Sequence, residues 1–363
     1  MVNILNLSDI HLGHDKNKTE NIVDNLRTFF KVYDKYLKTL DLLTISGDIF
    51  DRLLTTNSAD YHLAYEWLTE LVILCEKYGI ILRILEGTPS HDWGQAKLLY
   101  SMMSKLNINS NFKYFDILDI EYIEELNINV LYIPDEWKTK LSDVYLDVIA
   151  KLKEKNLTKV DIIIMHGAFS YQLPDFLDHT HDPKLYTKLA HGPIITGHVH
   201  IRSRYKNIII PGSFDSLSHS DDNEKKGGLY IKYDEGNHKW DYKYLDNENA
   251  LKFFTFDVRD KTIDDVKKIL NKHKKYNRVF IRFLVGINNK LSESITEFAK
   301  DYVNIKVTVK KEKNDKVSIL KKEKREHTKS VLDKRYIIDY ISSKVDRDTL
   351  GIMKEEISII EKL

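Results

Sequence analysis

The chain has 363 residues, which is long for one core, because single hydrophobic cores stop growing at about 250–300 residues. Hydrophobic residues at 42% exclude wholesale disorder, and a single cysteine, Cys75, excludes an internal disulfide and predicts a reducing, cytoplasmic setting. Lys and Arg number 56 against 55 Asp and Glu, so a formal charge of +1 does not by itself advertise a nucleic-acid partner.

The first nine residues carry no basic leader. No run approaches the roughly 18 apolar residues of a membrane span, so neither targeting nor membrane insertion is expected. Short β-branched and Leu-rich runs at 2–7, 41–46, 80–86, 113–117, 128–133, 160–165 and 193–196 predict buried strands. Between them, helical spacing predicts helices near 21–39, 58–78, 94–106 and 141–155. Asn57 or Ser58 can cap the second of these, and Leu63, Trp67, Leu71 and Leu74 form its apolar face. The result is an α/β pattern with helices outside a sheet system. Strands with tight turns at 207–210, 228–233 and 239–245 then close a first domain near residue 247.

A second module follows at 248–310, with the order β-α-β-α-β: strands 252–258, 278–285 and 304–310, and helices 262–273 and 292–300. It reads as a small α+β domain. Residues 311–329 read as a basic linker. The apolar rhythm returns over 330–363, including Val331, Tyr336, Ile337, Tyr340 and Ile341, and predicts a tail of two amphipathic helices. Isolated helices are marginal in water, so the tail is expected to dock on a partner or on its own chain.

Chemistry gathers where the predicted strands end. Asp9 and His11, one residue apart after the first strand, can leave the same side of the chain. Gly47 and Asp48 follow the second, with Asp51 close behind. The third runs into Glu86-Gly87-Thr88-Pro89-Ser90-His91-Asp92. His166 ends the strand at 160–165, and Gly197-His198-Val199-His200 ends the one at 193–196. Each piece alone has an ordinary reading as a turn former or a solvated histidine. Together, five strand ends carrying carboxylates and imidazoles suit Mn²⁺, Fe²⁺ or Zn²⁺, and the carboxyl ends of strands are where open α/β sheets build sites.

The ordered series Asp-x-His, Gly-Asp, His, His and Gly-His-x-His resembles the calcineurin-like metallophosphoesterases over about two-thirds of the chain. Gly47-Asp48-Ile49-Phe50-Asp51, Pro211-Gly212-Ser213 and Lys226-Gly227-Gly228-Leu229-Tyr230 are more specifically similar to the SbcD-type nuclease subunits of double-strand-break repair complexes and to their phage recombination-endonuclease relatives. The resemblance implies a metallophosphoesterase β-sandwich flanked by helices, a capping domain, and a tail that binds an SMC-like coiled-coil ATPase subunit of the SbcC type. It also implies a homodimer acting on duplex or end-melted DNA. Two Mn²⁺ ions per subunit are implied, with Mg²⁺ possible. Asp9, His11, Asp48 and His200 would hold one, and Asp48, His166 and His198 the other. By the same resemblance His91 is catalytic, Asp92 orients it, and Asp51 lies near the substrate.

One departure stands out. Where the family has Gly-Asn-His-Asp, this chain has two extra residues and serine in the asparagine place; Ser90 is expected to replace that ligand, with Thr88 or water as alternatives. Two other functions share the same residues. One is a stand-alone phosphodiesterase of small molecules or cyclic nucleotides, which would not need the cap and tail. The other is an end-binding scaffold with decayed catalysis, which His91 argues against. His14, His62, His179, His181, His191 and His219 read as structural or solvated. Trp67 reads as helix core, while Trp93, after the His91 loop, is placed to line a substrate cleft. Finally, the +1 charge is a cancellation: residues 306–335 carry +7 and 336–363 carry −2, leaving −4 for residues 1–305.

Overall fold

In the computed structural model of the chain, the described residues are 1–105, 111–135, 141–172, 180–221, 224–276, 278–287 and 291–312. Residues 1–312 form one compact unit. The tail helices expected over 330–363, nearly all of the basic linker and His179 lie outside the described residues. Among the described residues, no helix is long and apolar enough to cross a membrane.

Among the described residues fifteen strands run in chain order: β1 (Val2–Leu7), β2 (Leu42–Ser46), β3 (Ile81–Leu85), β4 (Phe112–Phe115), β5 (Asp119–Ile123), β6 (Ile128–Ile133), β7 (Ile162–His166), β8 (Ile194–Gly197), β9 (Ser203–Tyr205), β10 (Ile208–Ile210), β11 (Gly227–Asp234), β12 (Lys239–Asp246), β13 (Lys252–Asp257), β14 (Val279–Gly286) and β15 (Ile305–Glu312). They make two six-stranded sheets, ordered β12-β11-β1-β2-β3-β4 and β5-β6-β7-β8-β10-β9, and a three-stranded sheet, β13-β14-β15. β1 to β4 pair in parallel in the first sheet, as do β6, β7 and β8 in the second.

The two large sheets pack face to face, and the alternation of each strand decides what goes between them. Val2 and Ile4 of β1, Leu42 of β2, Ile81 and Leu85 of β3, Val130 and Tyr132 of β6, and Ile162 and Ile164 of β7 share one buried cluster. Their neighbours of opposite parity face outward under helices. Leu5, Leu7, Leu43 and Ile45 pack with Leu26 and Phe29 of the helix Thr19–Val32 and with Trp67, Leu68 and Leu71 of the helix Ala59–Tyr78. Leu131, Ile133, Ile163 and Met165 pack with Val144, Val148 and Leu152 of the helix Leu141–Glu154. With both faces of each sheet covered, the strands read as continuous apolar runs. Ser58 caps the helix Ala59–Tyr78, accepting from the Tyr61 N–H, and Gly79 ends it in the left-handed region at φ +68°.

The third sheet has its own core of Val266, Leu270, Ile281, Phe283 and Ile295. Its three strands are all parallel, with helices Ile263–His273 and Leu291–Ala299 as the crossovers. This module is therefore two successive βαβ units, an α/β arrangement where α+β was expected. Two further differences concern boundaries: the first expected helix stops at Val32 and a short turn, Asp34–Leu37, completes the span, and β15 continues to Glu312.

A candidate metal centre at the strand ends

Inner-face parity along β7 puts His166 on the same side as Ile162 and Ile164, so it points across the sandwich to the end of β2. Glycine makes that approach possible. Gly47 sits at φ +86°, and a Cβ there would collide with His166 Nδ1 and the Gly87 backbone; a Cβ on Gly87 would collide with the Asp48 amide and carboxylate. The loops after β1 and β2 are zipped together: the Asp9 N–H donates to Gly47 O (3.1 Å), the Ile10 N–H to Asp48 O (2.8 Å) and the Leu12 N–H to Ile49 O (2.8 Å). Four residues here take left-handed φ without being glycine: Asp9 (+50°), His11 (+57°), Asp48 (+53°) and His198 (+90°). Such strain persists only where the surroundings over-determine it, and it clusters at functional sites.

Three groups of ligand atoms meet around these loops: Asp9, His11 and His200; His11, Asp48 and His91; and Asp48, His166 and His198. Asp48 is the common member of the second and third. Its Oδ2 lies 3.0 Å from His91 Nδ1, 3.3 Å from His166 Nε2 and 3.8 Å from His11 Nε2. Burial alone would raise the Asp48 pKa, but His166, His91 and His11 outweigh it and hold the carboxylate well below its usual range. His166 donates its Nδ1–H to Ser46 O (2.8 Å), which fixes the tautomer and turns Nε2 toward Asp48. Burial lowers the His166 pKa, yet the adjacent Asp48 carboxylate more than reverses this and pushes it up to about 10.

The donor set fits divalent cations. His11 Nε2 and His200 Nε2 face each other at 3.2 Å, and His200 Nε2 lies 3.8 Å from Asp9 Oδ1. Two imidazoles with Asp9, which is fully buried, converge on one point with no Lys or Arg among them. His198 and His200 are held below the ordinary imidazole pKa, chiefly by burial, which keeps them neutral and able to ligate. Asp9 is fixed from both sides: Oδ1 accepts from the His198 N–H (2.8 Å) and Oδ2 from the Ser8 hydroxyl.

The expected site residues fall into distinct places. Asp9, His11, Asp48, His166, His198 and His200 come together as ligand atoms. His91 joins them but is half-exposed, its Nδ1 on Asp48. Asp51 stands behind His11, its Oδ1 3.2 Å from His11 Nδ1, so it orients a ligand imidazole and leaves Nε2 facing the centre. Asp92 has a role other than orienting His91. Fully buried, it accepts from the backbone N–H groups of Asp48 (3.0 Å), Phe50 (2.9 Å) and Gly87 (2.7 Å), pinning the β2 and β3 loops to each other. Burial and the nearby Asp48 and Glu86 carboxylates push its pKa up to about 7.

Ser90 is exposed. The hydroxyl brought to the centre is that of Thr88, 3.3 Å from Asp48 Oδ2, 3.3 Å from His166 Nε2 and 3.4 Å from His198 Nδ1. Its N–H also donates to Asp48 Oδ1 (2.6 Å). The reason is helical phase. Residues Pro89–Asp92 form one helical turn with Thr88 as N-cap and Pro89 first inside. Positions i, i+3 and i+4 share a face, so Thr88, His91 and Asp92 look inward while Ser90 looks out.

Other residues hold the site without having been singled out from the sequence as site residues. Lys226 is fully buried, and its ammonium donates to His200 O (3.0 Å), Ser213 Oγ (2.9 Å) and Asp221 Oδ1 (2.7 Å), fixing the His200 loop. The Ser213 N–H reaches the same carbonyl (3.2 Å). Half-buried Glu86 accepts from the Gly94 N–H (2.6 Å) and the Tyr114 hydroxyl, and desolvation pushes its pKa up to about 7. Among the other histidines, His181 is buried with Nδ1 3.0 Å from the Tyr186 hydroxyl, a packing role.

No family model and no protein of curated function matches the chain. Among solved structures, one whose description names no molecule is 14% identical, covering 67% of this chain and 98% of its own, with a TM-score of 0.38. Another, MurG of Acinetobacter baumannii, is 8% identical over 77% of this chain and 68% of its own, with a TM-score of 0.18. Likenesses this distant bear on neither fold nor function.

Proposed function

We propose that the protein is a metal-dependent DNA nuclease, hydrolysing backbone phosphodiesters at DNA ends with two Mn²⁺ ions and acting with an SMC-like ATPase in recombination and repair. The observation that carries this reading is the convergence of Asp9, His11 and His200 on one side, and His166 and His198 on the other, around Asp48. In this reading Asp9, His11, Asp48 and His200 hold one cation, and Asp48, His166 and His198 the other. Two cations held there would supply Lewis acidity for attack of a water on phosphorus and for the charge on the entering and leaving oxygens.

The chain's own groups do the rest. Asp51 and the Ser46 carbonyl fix the imidazoles of His11 and His166. Asp92 and Lys226 hold the loops that present them. His91, half-exposed, gives its Nδ1–H to Asp48, so Nε2 faces outward. That hydrogen bond favours the protonated imidazole and raises the His91 pKa above its ordinary value, which suits a general acid delivering a proton to the leaving oxygen.

The DNA reading draws on the motif resemblance and on the basic stretch at 306–335. It is tested by incubating the purified full chain with linear duplex DNA and Mn²⁺, with EDTA and cyclic nucleotides as comparisons. Shortened DNA that depends on Mn²⁺ supports it. Turnover of cyclic nucleotides with intact DNA favours the stand-alone phosphodiesterase.

A further inference from the structure

Two residues after His91 the chain presents a large aromatic side chain to solvent. Trp93 is 58% exposed and Leu53 is 55% exposed. Single exposed apolar residues are ordinary and mean nothing alone. Three further observations set Trp93 apart. Its backbone is left-handed, at φ +52°, an unfavourable state for a bulky side chain, and Gly94 continues the turn at φ +65°. Its indole N–H is committed to Ser90 O at 2.8 Å, so the ring is held by its polar edge and its faces are left for contact.

The backbone beneath it is laced. Buried Gln95 accepts from the Leu54 N–H (2.8 Å) and donates to Arg52 O (3.0 Å) and Asp92 O (3.1 Å). The Gly94 N–H donates to Glu86, and the Trp93 N–H to Pro89 O (3.3 Å). The loops carrying Asp51 and His91 therefore form one rigid rim with Leu53 and Trp93 on it. A strained, edge-tethered aromatic ring on a rigid rim, two residues from His91, is pre-organised for a flat ligand, because little ordering remains when the ligand arrives.

We propose that Trp93 is a substrate-positioning residue that stacks on a nucleobase flanking the scissile phosphate, an inference that rests on the DNA reading above. Stacking on an aromatic face tolerates any base, so it aligns the strand without imposing a sequence, as a nuclease of DNA ends requires.

The test measures kcat/KM with Mn²⁺ for short single-stranded oligonucleotides. Each is intact or carries a tetrahydrofuran abasic residue at one of the two positions flanking the cleaved bond. For the wild type, the abasic residue at one position should lower kcat/KM by about 5- to 100-fold. Trp93→Ala should lose a similar factor on intact DNA and become indifferent to the abasic residue. Trp93→Phe, which keeps a ring, should stay within about 3-fold of wild type. Unchanged Mn²⁺ affinity and thermal midpoint in Trp93→Ala would place the loss in substrate contact. The inference is overturned if Trp93→Ala cleaves intact DNA as the wild type does, or if it remains as sensitive to the abasic residue. If the wild type leaves all the oligonucleotides intact while hydrolysing bis(p-nitrophenyl) phosphate, the DNA reading itself fails and takes this inference with it.

Discussion

Thr88 shows how much of this site depends on the phase of one helical turn. Its hydroxyl sits among Asp48, His166 and His198, and its N–H holds Asp48 Oδ1. Thr88→Ala should therefore weaken Mn²⁺ activation by about 10- to 100-fold, the usual effect of removing a group that supports metal ligands, while Ser90→Ala should change it less than about 2-fold. Titrating activity against Mn²⁺ for the two variants decides this; the reverse order would restore Ser90 to the site. His91→Ala should bind Mn²⁺ like the wild type and cleave at least about 100-fold more slowly, measured by single-turnover kinetics beside calorimetric metal binding. Normal turnover in that variant would remove its proton-transfer role. Asp9, His11, Asp48, His166, His198 and His200 were legible as a candidate cluster because each lies at a strand's end or within four residues of it, where period-two alternation and glycine turns place side chains predictably. Thr88 was not, because spacing alone does not say which of two hydroxyls a Pro-initiated turn aims inward. Asp92 was visible as a neighbour of His91, but two of its three hydrogen bonds come from backbone groups of another loop, Asp48 and Phe50, and no local pattern encodes those.

Among the elements, the seam between the two large sheets carries one buried ion pair. Arg83 of β3 donates to Glu121 of β5 through Nε (2.7 Å) and Nη2 (2.8 Å), with Lys113 and the Tyr132 hydroxyl also on Glu121. Phe115 stacks on Tyr132 across the same seam, ring centroids 3.8 Å apart. Burial raises the Glu121 pKa, but Arg83 and Lys113 outweigh it and hold the carboxyl below its ordinary value. A lowered folded pKa stabilises the fold above the unfolded value, about 4.3, and that contribution is lost as pH falls through the folded value. Glu121→Gln should cost about 3–5 kcal/mol at pH 7, because a guanidinium is left buried without its partner. The gap from wild type should narrow at pH 3, measured by urea unfolding at both values; an equal gap at both would show that the pair's charge is not what stabilises the seam. β5 escaped the sequence reading because Asp119, Glu121 and Tyr122 interrupt its apolar rhythm, and Glu121 earns its inward position only through Arg83 on another strand. β9 escaped it because Ser203, Arg204 and Tyr205 form no apolar run, whereas the equally short β10 is three isoleucines. The parallel order of β13, β14 and β15 was not legible either: the alternation of strands and helices was plain, but strand direction is set by how the crossovers pack.

For the whole molecule, charge is distributed rather than balanced. Residues 1–305 carry −4 and the stretch 306–335 carries +7, so an acidic body that suits cations is followed by a segment suited to a phosphate backbone or an acidic partner. Deleting residues 330–363 should abolish stimulation of cleavage by the partner ATPase and ATP while sparing Mn²⁺-dependent cleavage of single strands; unchanged stimulation would refute a partner-binding tail. Beneath these proposals lies one claim, that the strand-end cluster holds two cations bridged by Asp48. Its most direct test is an anomalous difference map, collected at the manganese edge, from crystals of the full chain grown with Mn²⁺. Two peaks about 3.5–4 Å apart are expected, one among Asp9, His11, Asp48 and His200 and the other among Asp48, His166 and His198. A single peak, or none with His11 and His200 hydrogen-bonded directly to each other, would contradict it.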